Sequence, residues 1–200
     1  LIILSKSSFD FSLISVYTVL SDMKDKIDLS PVQQKFILHW GEMGMRWGIN
    51  RTVAQVHSLL YVWPEPLHAE QIRQTLSVAR SNVSNSLREL SGWGLLKTTQ
   101  KLGDRKDHFA TFDDPWEMFR IVARERKRRE MDPTATMLAE CLDELKKTKK
   151  ADPHTEKRLS DMKVFFDDAM GCFDKVNALP TSTLRKLTRM TDKVLKLLPF

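Results

Sequence analysis

The sequence contains few of the residues that interrupt helices. Its 200 residues include only seven glycines and eight prolines, which favours long helices over a fold of short strands and tight turns. It also has no uninterrupted run of the about 18 apolar residues that a membrane helix requires, so we expect no membrane partner. The composition is typical of a mainly α-helical globular protein with one or two domains.

Cysteine is also scarce. The chain has two cysteines, Cys141 and Cys172, which fall in separate predicted helices. We expect both to be small buried hydrophobic residues in a reducing compartment, which is consistent with a cytoplasmic protein. A redox switch between the two thiols is the alternative.

The residue spacings of metal sites and enzyme centres are missing. The five histidines have no metal-ligand spacing with each other or with the cysteines. No nucleophile motif such as G-x-S-x-G is present, and the glycines of "GEMGMRWG" have the wrong spacing for a phosphate-binding loop. We therefore expect no metal, no cofactor and no enzymatic activity.

The first residues predict a leader rather than a part of the fold. "LIILSKSSFDFSLISVYTVL" is apolar but is interrupted by Lys6 and Asp10, and it lacks the basic start and the cleavage site of a signal peptide. We expect residues 1–29 to form this leader, with the part before Met23 either disordered or upstream of the native start.

Positive charge is in moderate excess. The chain has 32 Lys and Arg against 26 Asp and Glu, a formal net charge of +6, which favours acidic partners such as nucleic acid. The run "RERKRRE", residues 124–130, is one candidate for phosphate contact. The alternative is a solvated helix face with internal ion pairs such as Glu125–Arg129.

Apolar residues recur at three- and four-residue steps along residues 30–76, which predicts three helices. Ser30 is a candidate N-cap, and Pro31 suits the first helical position. The expected core-facing residues are, helix by helix, Val32, Phe36, Trp40, Met43 and Trp47; Val53, Val56 and Leu60; and Ala69, Ile72 and Leu76.

The helix predicted in "SVARSNVSNSLRELSGWGLL", residues 77–96, has two faces of different chemistry. At about 100° per residue, Val83, Leu87 and Leu90 form one buried stripe. The opposite face consists of Ser81, Ser84, Asn85 and Arg88. Asn can pair with adenine, Arg with guanine, and Ser with a base or a phosphate, so this face suits the major groove of DNA. Arg80 lies at the helix N-terminus, where a phosphate would bind. A solvated helix face is the alternative.

A β-hairpin is predicted after this helix. "LLKTTQKLGDRKDHFATF" places Gly103 and Asp104 between two short runs that contain Thr and Phe, which is typical of a hairpin turn. Lys101, Arg105 and Lys106 flank the tip, where they would reach a minor groove or the phosphate backbone. The short helix, the tight turn and the quoted helix then make a helix-turn-helix, and the hairpin makes its wing.

These segments resemble the GbsR-type branch of the MarR superfamily of winged helix-turn-helix transcriptional regulators. The most specific matches are "RSNVSNSLREL" and "LGDRKDHF", supported by "HWGEMGMRWGINRTVAQVHSLLYVWPEPL" upstream and "ERKRREMDP" downstream. The resemblance implies a homodimer that reads a pseudo-palindromic operator in double-stranded DNA, usually as a repressor. It also implies the DNA-contacting residues: Ser81, Asn82, Ser84, Asn85 and Arg88 in the recognition helix, and Asp104, Arg105 and Lys106 at the wing tip.

Two residues depart from the pattern of this branch. His68 and Ala79 stand where Ser-like N-caps are expected, before the third helix and before the recognition helix. Each missing cap would cost about 1 kcal/mol of helix stability, unless Ser77 or another group substitutes.

The C-terminal half is predicted to be helical. Asp–Pro pairs at 132–133 and 152–153 are expected to end one helix and begin the next. Later apolar residues follow heptad-like steps, which is typical of helix–helix packing. We expect them to form a dimer seam, with packing against residues 134–150 as the alternative. The seam residues are Leu159, Met162, Phe166, Phe173, Val176, Leu184, Leu187 and Val194.

Two of the tryptophans also raise the question of an effector. Aromatic cages bind quaternary ammonium groups, and the GbsR-type branch includes regulators that respond to choline-like ligands. Trp40 and Trp47 are the candidates for such a cage, and core packing in the first helix is the alternative.

The expected fold is therefore mainly α. A winged helix-turn-helix DNA-binding domain with a small hairpin wing spans residues 30–113, and a helical dimerisation region spans residues 114–200. The alternatives are a winged-helix protein-interaction module and an architectural DNA binder without sequence preference. The first would need an acidic or apolar outward face on residues 81–88, and the second would favour more Lys and Arg there.

Overall fold

A computed structural model describes residues 25–147 and 152–195. The chain divides into two compact units, with the boundary between Asp113 and Asp114. Most of the predicted leader, including Met23, lies outside the described residues. Within the described residues, no helix is both long enough and apolar enough to span a membrane.

The described part of the first unit has four helices and three short strands. In chain order they are α1 (Pro31–Arg46), α2 (Arg51–Val62), β1 (Leu67–His68), α3 (Ala69–Leu76), α4 (Arg80–Trp93), β2 (Lys97–Gln100) and β3 (Asp107–Ala110). The strands form an antiparallel sheet in the order β1-β3-β2. The prediction of four helices followed by a hairpin is confirmed, whereas β1 was not predicted.

Helix α1 begins as predicted but buries a different face. Ser30 accepts a hydrogen bond from the backbone N–H of Gln33, and Gln33 returns one to the backbone of Ser30, so the two form a capping box. The buried residues of α1 are Ile37, Gly41 and Gly44. The predicted stripe of Val32, Phe36, Trp40, Met43 and Trp47 is therefore wrong as the core face, because these residues are exposed or only half-buried.

The two glycines explain why α1 is rotated. A Cβ built on Gly44 would lie 2.5 Å from Cβ of Ala54, and one built on Gly41 would lie 2.7 Å from Cγ of Gln55. Only glycine lets α1 and α2 approach this closely, and the close approach turns the small residues inward. Apolar periodicity alone does not register this effect, because glycine adds no hydrophobic signal.

The core of the first unit lies between α2, α3, α4 and the hairpin. Its most completely buried large side chains are Val56, Leu59, Leu67, Ile72, Val83, Leu90 and Leu95. Val56, Ile72, Val83 and Leu90 were expected on the inner faces of their helices, and they are buried.

The described end of the predicted leader packs against α3. The backbone N–H of Asp25 donates to Oε1 of Gln74 at 3.2 Å, and that of Ile27 donates to Oγ1 of Thr75 at 3.2 Å. The side chain of Ile27 is buried. Residues 25–29 are thus held to the first unit by hydrogen bonds and by apolar packing.

The second unit is helical throughout its described part. It contains α5 (Pro115–Arg126), a π-helical turn (Lys127–Met131), α6 (Asp132–Lys147), α7 (Pro153–Ala178) and α8 (Thr181–Leu195). Asp152 begins α7 as predicted, because its carboxylate accepts hydrogen bonds from the backbone N–H groups of His154 and Thr155.

Asp132–Pro133 does not end a helix, and that prediction is wrong. Helix α5 continues through the π-helical turn into α6 without a break. Proline lacks an N–H and crowds the carbonyl four residues earlier, and a π-turn widens the helix at that point. The backbone N–H of Asp132 accordingly donates to the carbonyl of Lys127, five residues back.

The predicted seam residues lie on α7 and α8 with unequal exposure. Leu184 is buried, whereas Met162, Val176 and Leu187 are exposed. Leu159, Phe166 and Phe173 are half-buried, and the side chain of Val194 lies outside the described residues. Helix α7 packs against α6, as the alternative expected, yet no side chain of α7 is buried within the described chain.

The cysteines differ from expectation in burial. Both thiols are free, Cys141 is half-buried and Cys172 is exposed. The prediction that both are buried is therefore wrong. Cys172 lies on α7, where no side chain is buried in the described residues, so its exposure follows from the open face of that helix.

Candidate nucleic-acid interface

The turn between α3 and α4 sets the direction of the candidate recognition helix. Ser77 ends α3 with φ of 53°, in the left-handed region that glycine usually occupies. The backbone N–H of Val78 then donates to the carbonyl of Arg73 at 3.2 Å. Because α4 begins at Arg80, residues 77–79 form the tight turn of a helix-turn-helix.

The two faces of α4 are oriented as their chemistry predicts. Val83, Leu87 and Leu90 are buried, and Ser86 is buried beside them. The candidate DNA-contacting side chains are all exposed: Arg80, Ser81, Asn82, Ser84, Asn85 and Arg88. Short polar side chains cover most of this face, so a duplex can approach the helix backbone closely.

Two residues of this face are bonded to each other. Nη1 of Arg88 donates to Oδ1 of Asn85 at 3.0 Å. From the sequence, we predict that both residues contact bases separately. In the structure the bond orients the guanidinium along the helix surface, and it uses one of the two lone pairs of the Asn85 amide oxygen, which leaves the other to accept from adenine.

The N-terminus of α4 has no side-chain cap. Ala79 is the N-cap residue and its side chain makes no capping hydrogen bond, as the sequence predicts. The first N–H groups of α4 therefore keep their capacity to donate, and the helix dipole adds positive potential at the same end. Arg80 lies beside them, so this end suits a phosphate.

Helix α3 is capped, although the sequence predicts a missing cap at His68. Nδ1 of His68 accepts a hydrogen bond from the backbone N–H of Gln71 at 3.3 Å, and Oε1 of Gln71 accepts one from the backbone N–H of His68 at 3.1 Å. Burial, with a smaller effect of Lys106, lowers the pKa of His68 and keeps its imidazole neutral. The acceptor that the cap requires is thereby preserved, and the imidazole of His68 is the group that substitutes for the expected Ser-like cap.

The wing tip is a turn organised by Asp104. The backbone N–H of Asp104 donates to the carbonyl of Lys101 at 3.0 Å, and Gly103 has a φ of 85°. Oδ1 of Asp104 accepts from the backbone N–H of Lys106 at 2.9 Å, and this bond holds the pKa of the Asp104 carboxyl below its usual range. Asp104 thus shapes the tip from within the loop.

The basic residues of the wing have different surroundings. Lys101 and Arg105 are exposed and form no ion pair within the described residues. Lys106 instead points toward the start of α3, where its Nζ lies 3.7 Å from Oδ2 of Asp25 and 3.4 Å from Nε2 of His68. Lys101 and Arg105 are consequently the basic side chains most available to a ligand at the tip.

One residue of the wing tip was missed by the sequence analysis. Leu102 has a relative exposure of 109%, so none of its side chain is covered by the described chain. Apolar residues were used only to find core faces, and a single leucine in a turn carries no periodicity. The basic residues around Leu102 were the only sequence signal that could have singled it out.

An open cleft of about 630 Å³ separates α4 from the hairpin. Its walls include the basic residues Arg80, Arg88 and Lys106 and the acidic residues Glu70 and Asp107. Glu70 is bonded to Arg73 and Gln74, and the bond from Arg73 lowers its pKa. Arg73 compensates the Glu70 carboxylate, and Asp25 lies near Lys106. Arg80 and Arg88 then face the single carboxylate of Asp107, so the cleft keeps a net positive charge, which suits a sugar–phosphate strand.

Three basic side chains of the run at residues 124–130 form ion pairs with carboxylates. Arg128 donates to both carboxylate oxygens of Glu125, at 2.6 and 2.9 Å. Lys127 lies 3.0 Å from Oδ1 of Asp132, and Arg126 lies 3.5 Å from Oε1 of Glu130. These pairs favour the solvated helix face over a phosphate contact.

The two candidate cage tryptophans contact each other. The rings of Trp40 and Trp47 are T-shaped with centroids 5.8 Å apart, and Phe36 stacks on Trp40 at 5.4 Å. The edge of one indole therefore covers a face of the other, and no space for an ammonium group separates them. The described residues contain no cluster of His, Cys, Asp and Glu that could hold a metal ion.

Comparison with known structures agrees with this geometry. No protein-family model matches the chain, and no curated protein matches it in sequence. A crystal structure of a transcriptional regulator is similar in fold, with a TM-score of 0.60 and 22% sequence identity over 74% of this chain and 96% of that chain. The fold is a winged helix-turn-helix. In this fold α3 and α4 form the helix-turn-helix, β2 and β3 form the wing, and a helical region follows.

Proposed function

We propose that this winged helix-turn-helix chain is a transcriptional regulator that binds double-stranded DNA in a sequence-specific manner. It acts as a homodimer on a pseudo-palindromic operator, as a cytoplasmic repressor, and it is not an enzyme. The resemblance of its motifs to the GbsR-type branch of the MarR superfamily supports this choice of class.

The outward face of α4 carries the proposal. Its exposed Ser, Asn and Arg side chains match the donor and acceptor pattern of base edges in the major groove. The uncapped helix N-terminus and the basic cleft beside the wing supply phosphate contacts at the two sides of that face. The transcriptional regulator of similar fold adds support from a comparison made independently of these residues.

The open face of α7 supports the homodimer. Val164 and Phe165 are 57% and 63% exposed, and Met162 and Val176 are also exposed. A second copy of the chain would cover these apolar side chains, and a two-fold dimer places two recognition helices about one helical turn of DNA apart. Val164 and Phe165 belong to this exposed apolar face although they are not among the predicted seam residues.

The dimer is tested by light scattering at micromolar concentration. Phe165→Asp should convert a dimer to a monomer, because it puts a charge into an apolar interface. Val32→Asp is the matched control, since Val32 is 77% exposed on α1 in the other unit. A wild-type monomer would contradict the two-fold operator model.

DNA binding is tested by footprinting the purified full-length chain on the DNA upstream of its own gene, with an excess of nonspecific competitor. A protected palindrome supports the proposed regulator. Salt-sensitive retardation of any duplex without a footprint would favour the architectural DNA binder. Absence of retardation by the folded protein would favour the protein-interaction module.

In this proposal, binding of a choline-like effector releases the protein from its operator. Such a cation would lie on the outer face of Trp47, whose side chain is 50% exposed. Choline should then raise the melting temperature and lower the operator affinity, and both effects should disappear in Trp47→Leu. If choline changes neither quantity, the effector site at Trp47 is discarded.

A further inference from the structure

We infer that Leu102 is an apolar reader of the DNA minor groove next to the major groove that holds α4. This inference rests on the proposed function and assigns a contact to a residue that is neither charged nor polar. The inferred preference is for A·T-rich DNA, because A·T base pairs carry no amino group in the minor groove.

The side chain of Leu102 has no packing partner within the described fold. Its side chain is fully exposed at the apex of the wing, where burial in the core is impossible. Exposing a leucine in this way forgoes about 1.5–3 kcal/mol of hydrophobic stabilisation. A second surface that covers the side chain would recover part of that free energy.

The neighbours of Leu102 identify the surface by charge. Lys101 precedes it and Arg105 follows the turn, and both are exposed without an ion pair in the described residues. The minor groove is about 6 Å wide, has apolar sugar walls and has its strongest negative potential over A·T-rich segments. An apolar apex between two cations is complementary to it, and architectural proteins insert leucine into this groove.

The wing tip is also prepared for such a contact. The Lys101–Asp104 turn and the bond from the Lys106 backbone to Asp104 fix the loop. Behind it, Nδ1 of His108, a buried residue of β3, lies 3.0 Å from the carbonyl oxygen of Lys106. A loop that is already ordered loses little conformational entropy on binding, so the apex can be presented to the groove at low cost.

The chemistry predicts which base pairs are accepted. In the minor groove, G·C differs from A·T by the N2 amino group of guanine, which projects into the space that the leucine methyl groups would occupy. An I·C pair lacks this amino group but resembles G·C in the major groove. Contact by Leu102 therefore predicts equal affinity for A·T and I·C at the wing position and lower affinity for G·C.

The experiment uses duplexes selected by the wild-type full-length protein from a random-sequence library. The base pairs on either side of each half-site are then replaced by A·T, I·C or G·C, and affinity is measured by fluorescence anisotropy. We expect the G·C duplex to bind about 10-fold more weakly than the other two, by loss of apolar burial. Leu102→Ala should bind the three duplexes equally and with the affinity of wild type for G·C.

Two control variants separate this contact from general effects. Arg105→Ala should lower the affinity for all three duplexes and shallow the salt dependence, because it removes a positive charge beside the groove, but it should keep a preference for A·T and I·C over G·C. Val32→Ala, an exposed apolar residue on α1, should change neither quantity.

The outcomes distinguish this inference from the proposed function. If selection enriches no sequence, the proposed function fails, and the role of Leu102 fails with it. If wild type binds its selected duplex and Leu102→Ala keeps the full preference for A·T and I·C over G·C, only the role of Leu102 is overturned. A change of oligomeric state in Leu102→Ala, with unchanged DNA affinity, would also overturn it and would assign the leucine to a protein contact.

Discussion

His57 and Thr111 join α2 to the end of the hairpin. Nε2 of His57 lies 3.2 Å from the hydroxyl oxygen of Thr111, and that hydroxyl donates to the carbonyl of Leu95 at 2.9 Å. Since the hydroxyl proton is used by Leu95, the imidazole donates from Nε2. Both side chains are buried, so this network fixes the base of the wing from inside the first unit.

The burial of His57 predicts a loss of stability in acid. Desolvation lowers its pKa from 6.5 to about 4. Between these pH values the unfolded chain binds a proton that the folded chain does not, so the free energy of unfolding falls as pH falls, by up to about 3 kcal/mol. Urea unfolding at pH 7 and pH 4 measures the change.

A conservative variant isolates the contribution of His57. His57→Gln can still donate to Thr111 but does not titrate, so its pH dependence should be weaker than that of wild type by about the same 3 kcal/mol. An identical pH dependence in the two proteins would show that the imidazole does not carry this effect.

The Asn85–Arg88 hydrogen bond predicts coupled effects on DNA binding. Asn85→Ala and Arg88→Ala should each weaken specific binding by about 1–3 kcal/mol and spare nonspecific binding. Because the side chains are bonded to each other, the double variant should deviate from the sum of the single variants by at least about 0.5 kcal/mol. Fluorescence anisotropy titrations of wild type, the two single variants and the double variant measure the four binding free energies of this double-mutant cycle. Simple additivity would mean that the bond plays no part in the complex.

The close approach of α1 and α2 predicts a severe effect of one methyl group. Gly44→Ala places a Cβ 2.5 Å from Cβ of Ala54 and should destabilise the first unit by about 1–3 kcal/mol through overpacking. Ala54→Gly in the same chain should restore part of the loss, as measured by thermal unfolding.

Gly92→Ala is the matched control for this substitution. A Cβ at Gly92 on α4 has no neighbour within 4 Å. It should therefore stabilise the helix by up to about 1 kcal/mol. Equal effects of the two glycine substitutions would contradict the packing explanation.

The capping role of His68 predicts that serine can replace it but alanine cannot. His68→Ala removes the acceptor for the Gln71 N–H and should cost about 1 kcal/mol, whereas His68→Ser retains a cap. The lowered pKa of His68 means that its contribution is present at neutral pH and is lost as pH falls. Denaturant unfolding at neutral pH should rank wild type and serine above alanine, and equal stability of the alanine variant would exclude the cap.

Much of the fold follows from residues close together in the chain. The caps at Ser30 and Asp152 bond to backbone groups two or three residues away, and the outward face of α4 follows from the 3.6-residue period. For this reason the order of helices, the hairpin and the exposed face of α4 could be predicted from the sequence. The uncapped start of α4 at Ala79 has the same local origin.

Contacts between segments that are distant in the chain determine the other features of the fold. The two-residue strand β1 exists only through its pairing with β3, and the inner face of α1 depends on the approach of α2 to Gly44. Lys106 is directed away from the apex by Asp25, which leaves Leu102 at the tip. The helices and their caps could be predicted because their energies depend on residues a few positions apart. The buried faces and the exposed wing residues could not, because packing and ion pairs act between segments far apart in the chain.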